Sequence, residues 1–178
     1  MRKLLVILVS ALLTGCQKEP APPSTTSWSE LQQAISSTPA ILDTQHVTSL
    51  IPYDSIKLER GPCLGGCPVY SVTFHRNGEA FLTDDYLLPE KSIKYSAHIS
   101  LRDFARLAQL VHAAQSASDQ SEYAGQWRDD YSAEITVTGK DGRWTVRDYG
   151  QVAPYQVWAL EELLHSQRMS SEWKRVGQ

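Results

Sequence analysis

Ten consecutive residues, Gly61 to Tyr70 (GPCLGGCPVY), constrain the fold of this chain more than any other stretch. Cys63 and Cys67 both lie here, each beside a proline, with a Gly65-Gly66 pair between them. Proline fixes its own backbone angle, whereas glycine adopts conformations that other residues avoid. The stretch therefore predicts a sharp change of chain direction, after which a hydrophobic strand begins at Val69.

The first 16 residues have the pattern of a bacterial export signal. Arg2 and Lys3 precede an apolar run, Leu4 to Leu13, that one serine interrupts. The run is shorter than the roughly 20 residues that a bilayer-spanning helix needs, and it fits the hydrophobic region of a signal peptide. Leu13-Thr14-Gly15-Cys16 resembles the bacterial lipoprotein box. The resemblance implies cleavage before Cys16 and attachment of lipid to that cysteine.

The same resemblance implies a membrane partner and a location. Lipoproteins of this class carry a diacylglycerol thioether and an amide-linked acyl chain such as palmitate on the cysteine. Several acyl chains hold a protein at the membrane more firmly than a single acyl chain, which gives only reversible binding. Gln17 stands where an Asp would be typical of inner-membrane retention, which favours the outer membrane, facing the periplasm. The alternative is an ordinary secreted protein that is cleaved near Gly15.

The segment after the lipoprotein box predicts a flexible tether. Residues 18–27 are rich in Pro, Ser and Thr and have no hydrophobic period, so they cannot bury apolar surface. Removal of the leader leaves 15 basic and 20 acidic residues, a formal charge of −5. A nucleic-acid-binding domain would show a basic stripe. We therefore expect no nucleic-acid partner.

The two cysteines of the loop are expected to form a disulfide with each other. Disulfides persist in exported proteins, and lipidation of Cys16 would leave an even number of cysteines. In an extended strand, residues four apart lie ~13 Å apart, beyond the ~7 Å limit for a disulfide. The loop must fold back, which Gly65 and Gly66 allow. We predict a structural disulfide between Cys63 and Cys67.

Three other roles for this loop would require a different pattern of residues. A thiol oxidoreductase typically has C-x-x-C at a helix start, but here three residues separate the cysteines and a strand follows. A metal site needs further donors, and the five histidines show no paired ligand spacing; no metal or other cofactor is expected. A phosphate loop needs a lysine after its last glycine, where this chain has cysteine. The residues at the tip, Leu64, Gly65 and Gly66, are the candidate ligand-facing loop.

The chain after the loop predicts a β-hairpin. Asn77-Gly78 stands between two runs of alternating apolar residues, the pattern of a two-residue type I′ turn. Such a turn places Phe74 opposite Phe81, and therefore Tyr70, Val72, Phe74 and Phe81 on one face of the sheet.

Helix signals and a second hairpin complete the pattern. Ser27-Trp28-Ser29-Glu30 and Ser100-Leu101-Arg102-Asp103 have capping-box spacing. Pro154 fits the first turn of a last helix. Residues 116–131 are polar and predict a long loop, and a second hairpin is expected around Asp141-Gly142.

These elements predict an α+β domain. We expect an antiparallel sheet of about six strands with two helices packed on one face, in the order β-β-β-β-α-β-β-α. The predicted segments are 1–15 (lipoprotein signal peptide), 16–27 (lipidated cysteine and tether), 28–52 (N-terminal helix and linker), 53–168 (α+β domain) and 169–178 (C-terminal tail).

The stretch from Cys63 to Tyr70 also resembles the Cys-Phe-Gly-x-Cys-Pro-x-Tyr signature of a bacterial domain of unknown function, the Domain of Unknown Function 6438 family. The resemblance extends from about Ile56 through Asp148-Tyr149 to the last helix. Leu64 replaces the usual aromatic residue, and Asp84-Asp85 stands where members often carry glycine. The resemblance implies an exported protein or lipoprotein. It implies no activity, ligand or catalytic residue.

The predicted function is that of a membrane-anchored envelope lipoprotein with a non-enzymatic binding or structural domain. Its partner would be the membrane, through the lipid, and an envelope protein or glycan. The alternative is a small periplasmic thiol-redox or hydrolytic enzyme. Aromatic residues in the second half would stack a glycan or peptide if they met in a groove, but core and sheet-face packing is the favoured interpretation. These residues are Trp127, Tyr131, Trp144, Tyr149, Tyr155 and Trp158.

Overall fold

Eight strands and four helices make up the part of the chain that a computed structural model describes, residues 25–36, 44–85, 87–88, 90–126 and 130–177. The predicted signal peptide, the lipoprotein box with Cys16 and the tether up to residue 24 lie outside these residues. The helices are α1 (Thr25–Ser36), α2 (Thr44–Leu50), α3 (Leu101–Ala117) and α4 (Tyr155–Ser170). The strands are β1 (Tyr53–Arg60), β2 (Tyr70–His75), β3 (Glu79–Asp84), β4 (Ile93–His98), β5 (Glu122–Ala124), β6 (Ser132–Gly139), β7 (Gly142–Tyr149) and β8 (Lys174–Arg175).

The strands form one mixed sheet in the order β5-β7-β6-β1-β2-β3-β4-β8. Within the described chain, β5 and β7 are parallel and the other neighbouring strands are antiparallel. The predicted antiparallel sheet of about six strands with two helices is therefore wrong. β5 has three residues and β8 has two, too few to show an alternating pattern. They fall in the predicted loop 116–131 and in the predicted tail.

The two N-terminal helices belong to the same hydrophobic core as the sheet. Trp28 and Leu31 of α1 are buried, and Ile35, four residues after Leu31 on the same face of the helix, packs against the core. The Trp28 ring stacks on His112 of α3 with centroids 4.4 Å apart and lies 5.9 Å from the ring of Tyr53. Tyr53 begins β1, so α1 packs at that end of the sheet.

One face of the sheet is apolar and is covered by the helices. Both α3 and α4 contact β1, the strand between β6 and β2. Full burial of one large apolar side chain stabilises the folded state by about 1.5–3 kcal/mol. This apolar layer therefore holds the sheet and the helices together. Fully buried inward residues of the central strands include Ile56, Leu58, Val72, Phe74 and Ile135.

The hairpin between β2 and β3 differs from its prediction by one residue. Phe74 lies opposite Ala80 and not opposite Phe81, because the loop has three residues and Gly78 N–H donates to the His75 carbonyl at 2.9 Å. Gly78 has φ +91°, as expected where a three-residue loop ends in a bulge. A shift of one residue moves a strand's side chains to the other face. Phe81 is therefore 45% exposed beside His75.

The helices α3 and α4 cross the sheet at its two opposite ends. Ser100 caps the start of α3, because its Oγ accepts the first-turn backbone N–H of Asp103 at 3.1 Å, which confirms the predicted cap. Gln115 of α3 accepts a hydrogen bond from Tyr53 at the start of β1, whereas Glu162 of α4 binds Arg60 at the end of β1. α4 thus covers the end at which the cysteine loop lies. None of the described helices combines the length and apolar character that crossing a membrane requires.

Candidate functional site

The cysteine loop, residues 61–69, contains the predicted disulfide between Cys63 and Cys67. Their Cα atoms lie 5.3 Å apart, compared with ~13 Å in an extended strand. The backbone folds back through a turn in which the Gly66 N–H donates to the Cys63 carbonyl at 3.3 Å. Gly66 has φ +77°, a left-handed conformation that glycine adopts without steric cost. The glycine pair therefore closes the ring, as predicted.

The base of the loop is fixed to the sheet on both sides. The Gly61 N–H donates to the Ser132 carbonyl at 2.8 Å. A Cβ at residue 61 would lie 2.4 Å from Ser132 Oγ, so glycine permits this close approach. At the other side, the Asp85 N–H donates to the Val69 carbonyl at 2.8 Å. The loop thus rises from a rigid support.

The tip of the loop consists of the three residues predicted to face a ligand. Leu64 is 80% exposed, and Gly65 and Gly66 are also exposed. The ring beneath them is closed internally, because the Cys67 N–H also approaches the Cys63 sulfur, at 3.1 Å. Ligand binding by these residues stays a prediction, but the loop presents a large apolar side chain to solvent.

A second feature, the polar cluster, lies behind the loop on the helix-covered face. A row of paired residues runs across four strands at this end of the sheet: Asp148 of β7, Ala133 of β6, Arg60 of β1 and Tyr70 of β2. Three of these four side chains are polar, and all occupy inward positions. The polar cluster comprises Arg60, Tyr70, Tyr131, Asp148, Glu161, Glu162, His165 and Arg168.

Helix α4 supplies the other half of the cluster. The Arg60 guanidinium donates to Glu162 Oε1 at 2.6 Å. One turn further along α4, His165 Nδ1 lies 2.7 Å from the Tyr70 hydroxyl. The Arg168 guanidinium covers the Tyr70 ring at 4.1 Å, a cation–π contact. α4 is therefore held along the row by polar contacts as well as by apolar packing.

Two carboxyl groups in the cluster are almost completely buried. Asp148 is 2% exposed and Glu161 is 1% exposed. Asp148 Oδ1 accepts the backbone N–H groups of Val152 and Ala153 at 3.0 and 3.2 Å. Asp148 Oδ2 and both Glu161 oxygens have no hydrogen-bond partner within the described residues. Buried carboxylates without partners are costly, so such groups tend to retain a proton.

The electrostatics of the cluster follow from this burial. Burial, and then the neighbouring Asp148, raise the pKa of Glu161 to about 8, against the opposing effect of Arg60. Burial also raises the pKa of Asp148, and that of Tyr70 to about 12. Burial and then Arg60 lower the pKa of His165. At neutral pH the Tyr70 hydroxyl therefore donates to a neutral His165, and Glu161 is a neutral acid.

The family model described as "Domain of unknown function (DUF6438)" matches residues 54–168, which contain the cysteine loop and the whole polar cluster. The chain belongs to this family. The predicted resemblance is thereby confirmed. The match begins within β1, after the two N-terminal helices, and ends within α4, before β8. No curated protein matches the chain.

The histidines of the DUF6438 domain do not converge on a metal site. His75 packs edge-on against Phe81, with ring centroids 5.7 Å apart. His98 lies against Gly78, where a Cβ would meet its imidazole at 2.3 Å. His165 binds Tyr70. Among the residues that the structure describes, no group of three or more His, Cys, Asp or Glu side chains is placed to hold a metal ion.

The aromatic residues of the second half do not form one groove in the described chain. Trp144 pairs with Val137 near the turn between β6 and β7, whereas Tyr149 ends β7 at the other end of the strand. Tyr155 and Trp158 of α4 are 74% and 46% exposed. Tyr131 packs against the Arg60 guanidinium in the polar cluster, and Trp127 lies outside the described residues.

Sequence reasoning missed the polar cluster of this DUF6438 domain, although two of its acids stand at apolar positions. Glu161 lies four residues after Val157 and three before Leu164, on the buried stripe of α4. Asp148 continues the inward alternation of Val146 along β7. An acid on a predicted buried face is a signal for a buried polar site. The side chains that contact such an acid come from other strands and helices. The sequence therefore does not show which groups lie together.

Proposed function

We propose that this protein is a lipid-anchored protein of the bacterial envelope and that its DUF6438 domain binds a partner without catalysis. The observation that carries the proposal is Leu64, 80% exposed on a ring closed by the Cys63–Cys67 disulfide. An exposed large apolar side chain is favourable to bury in a complex. A rigid loop loses little conformational entropy on binding.

The position of the loop supports this proposal. The proposed tether leads into α1, which packs beside Tyr53 at the start of β1. The cysteine loop follows Arg60 at the end of the same strand. Eight extended residues span about 26 Å. Anchored through a flexible tether at the other end of β1, the domain would leave its loop free to face away from the bilayer.

The binding proposal is tested by photo-crosslinking in living bacteria. A photoreactive amino acid replaces Leu64, and a second version carries it at Lys140, an exposed residue at the opposite end of the sheet. We expect light-dependent adducts of defined mass at position 64 and none at position 140. Identical patterns at both positions, or no adduct at position 64, would contradict the proposal.

The anchoring proposal has its own test. Replacement Cys16→Ser removes the proposed lipid attachment site, so we expect the protein to move from the membrane fraction to the soluble periplasmic fraction. Metabolic labelling with a palmitate analogue should be lost in the same variant. A variant that stays membrane-bound would show that another feature holds the protein at the membrane.

A further inference from the structure

A groove lies on the face of the sheet that points away from the helices, here called the open face. It has a volume of about 560 Å³, which is within the range of small-molecule sites. The side chains that line it alternate along their strands with buried side chains, so they point to the open face. They come from four neighbouring strands, β5, β7, β6 and β1. The groove is therefore built on the regular part of the fold.

Strand pairing places four charged side chains across the groove, and these are here called the charged row. Glu122 pairs with Arg147, which pairs on its other side with Glu134. Glu134 in turn pairs with Glu59 of β1. Arg147 Nε donates to Glu134 Oε2 at 3.1 Å, and Lys57 Nζ lies 2.8 Å from Glu59 Oε1. Within the described chain, neither contact uses the second oxygen of its carboxylate, and this oxygen can accept a hydrogen bond from a ligand.

The next row of paired residues contains one aromatic side chain between small ones. Tyr149 pairs with Ala124 of β5 on one side and with Ser132 of β6 on the other. Beyond Ser132 stands Gly61, which is bonded to the Ser132 carbonyl and has no side chain. The small neighbours leave room beside Tyr149, so its ring provides the apolar surface of the groove.

The two rows together match the chemistry of a sugar. The carbon-bound hydrogens of a pyranose ring form an apolar face that stacks on an aromatic ring, whereas its hydroxyl groups both donate and accept hydrogen bonds. A carboxylate only accepts and a guanidinium only donates. The order Glu, Arg, Glu along the charged row can therefore hold adjacent hydroxyl groups in one orientation, and hydrogen bonds to charged groups are the stronger kind.

Other classes of ligand would use only part of the groove. An anion would meet three glutamates beside the one arginine of the charged row. A cation would meet Arg147, which stands between Glu122 and Glu134. An apolar ligand would cover the charged row without replacing its contacts to water, which is costly. A neutral ligand with several hydroxyl groups satisfies both rows.

We propose that this groove binds a neutral oligosaccharide, with one sugar ring on Tyr149 and its hydroxyl groups bonded to Glu59, Glu134 and Arg147. The proposal goes beyond the proposed function, because the described residues that line the groove do not include Leu64. Either site can bind without the other. The protein would then contact a glycan through the open face and a second partner through the cysteine loop.

The test uses full-length protein carrying Cys16→Ser, so that the proposed lipid does not contribute to binding. Isothermal titration calorimetry measures Kd for three neutral trisaccharides, which are maltotriose, cellotriose and chitotriose. Two charged trisaccharides are compared with them: deacetylated chitotriose, which is cationic, and trigalacturonate, which is anionic. Tyr149→Ala and Glu134→Gln change the groove, and Tyr155→Ala and Glu30→Gln are exposed controls outside it.

We expect at least one neutral trisaccharide to bind. Glu134→Gln should weaken its binding about ten-fold, because a charged acceptor is replaced by a neutral one. Tyr149→Ala should weaken binding at least as much, whereas Tyr149→Phe keeps the ring and should bind nearly as well as the unmodified protein. The two controls and Leu64→Ser should leave Kd unchanged, and circular dichroism shows whether each variant is folded.

Three outcomes would overturn the proposal: no binding of any neutral trisaccharide, tighter binding of the cationic trisaccharide than of every neutral one, or equal losses in the control variants. A loss of binding in Leu64→Ser would place the sugar at the cysteine loop and not in the groove. Groove binding without crosslinking at position 64 contradicts the proposed function alone, and crosslinking without trisaccharide binding contradicts this proposal alone.

Discussion

The cysteine loop and the polar cluster lie at the same end of the sheet but are held together in opposite ways. A covalent bond between Cys63 and Cys67 closes the loop, and its tip is exposed. The cluster has no covalent link, and its acids Asp148 and Glu161 are almost inaccessible. The exposed part of this site is therefore held by a covalent bond, whereas its support depends on buried polar groups and on their protonation.

Loss of Arg60 should have the largest effect, because Arg60 is the cation between Glu162 and the buried acids. We expect Arg60→Met to lower the free energy of unfolding by about 3 kcal/mol, the lower end of the range for broken buried ion pairs, because the Arg60 side chain is 12% exposed but its partner Glu162 is 44% exposed. Urea denaturation measures the change. Arg147→Met is the control, because the Arg147 side chain is 54% exposed in its pair with Glu134 and exposed pairs contribute about 1 kcal/mol or less. Equal losses in both variants would show that Arg60 supports the cluster no more than a surface residue.

The next effect is a pH dependence of stability that arises in the cluster. The pKa of Glu161 is about 8 in the folded protein, against an ordinary value of 4.5. Between these values the folded state binds more protons than the unfolded state, so the free energy of unfolding falls as pH rises. From Glu161 alone we expect a loss of about 3 kcal/mol between pH 5 and pH 8. The lowered pKa of His165 opposes this loss, because the unfolded state then binds more protons at that residue.

Glu161→Gln tests the origin of this pH dependence. The variant should lose most of the slope and should be more stable than the unmodified protein at pH 8, because no charge is then buried. Glu162→Gln is the matched control on the adjacent residue; it removes the ion pair with Arg60 and should keep the slope. A slope that persists in Glu161→Gln would place its origin in another group.

The disulfide should have the smallest effect on overall stability. Closing a five-residue ring contributes about 2 kcal/mol on the chain-entropy model, so Cys63→Ser with Cys67→Ser should lower the free energy of unfolding by about that amount. Thermal denaturation at pH 5 and pH 8 should show the same loss at both values. A loss that differs between the two pH values would mean that the loop and the polar cluster are energetically coupled.

Features coded within a few neighbouring residues were predictable from the sequence. The Cys63–Cys67 disulfide and the cap at Ser100 are observed, because spacing alone defines each of them. The turn at Asn77-Gly78 was predicted in the correct place, but its register was wrong. The same residues suit a two-residue and a three-residue loop, and packing of the inward side chains decides between them.

Features that depend on distant segments were not predictable. β5 consists of three residues and forms a strand because it pairs with β7. β8 consists of two residues and forms a strand because it pairs with β4. The polar cluster joins three strands, β1, β2 and β7, to α4. Glu161 stands on an apolar stripe and was open to detection, but its neighbours Asp148 and Arg60 follow from the strand order of the sheet.

The central position of β1 has a mechanical consequence. The proposed anchor enters beside its first residue, Tyr53, and the proposed binding loop leaves from its last, Arg60. A pull between membrane and partner would load the packing of α1 first, and the force transmitted to β1 would act along the axis of this strand. The hydrogen bonds to β2 and β6 lie perpendicular to that axis, so they would share the force in shear and would not open one after another. Beyond its proposed flexible tether, the domain would behave as a stiff link to the partner that its loop binds.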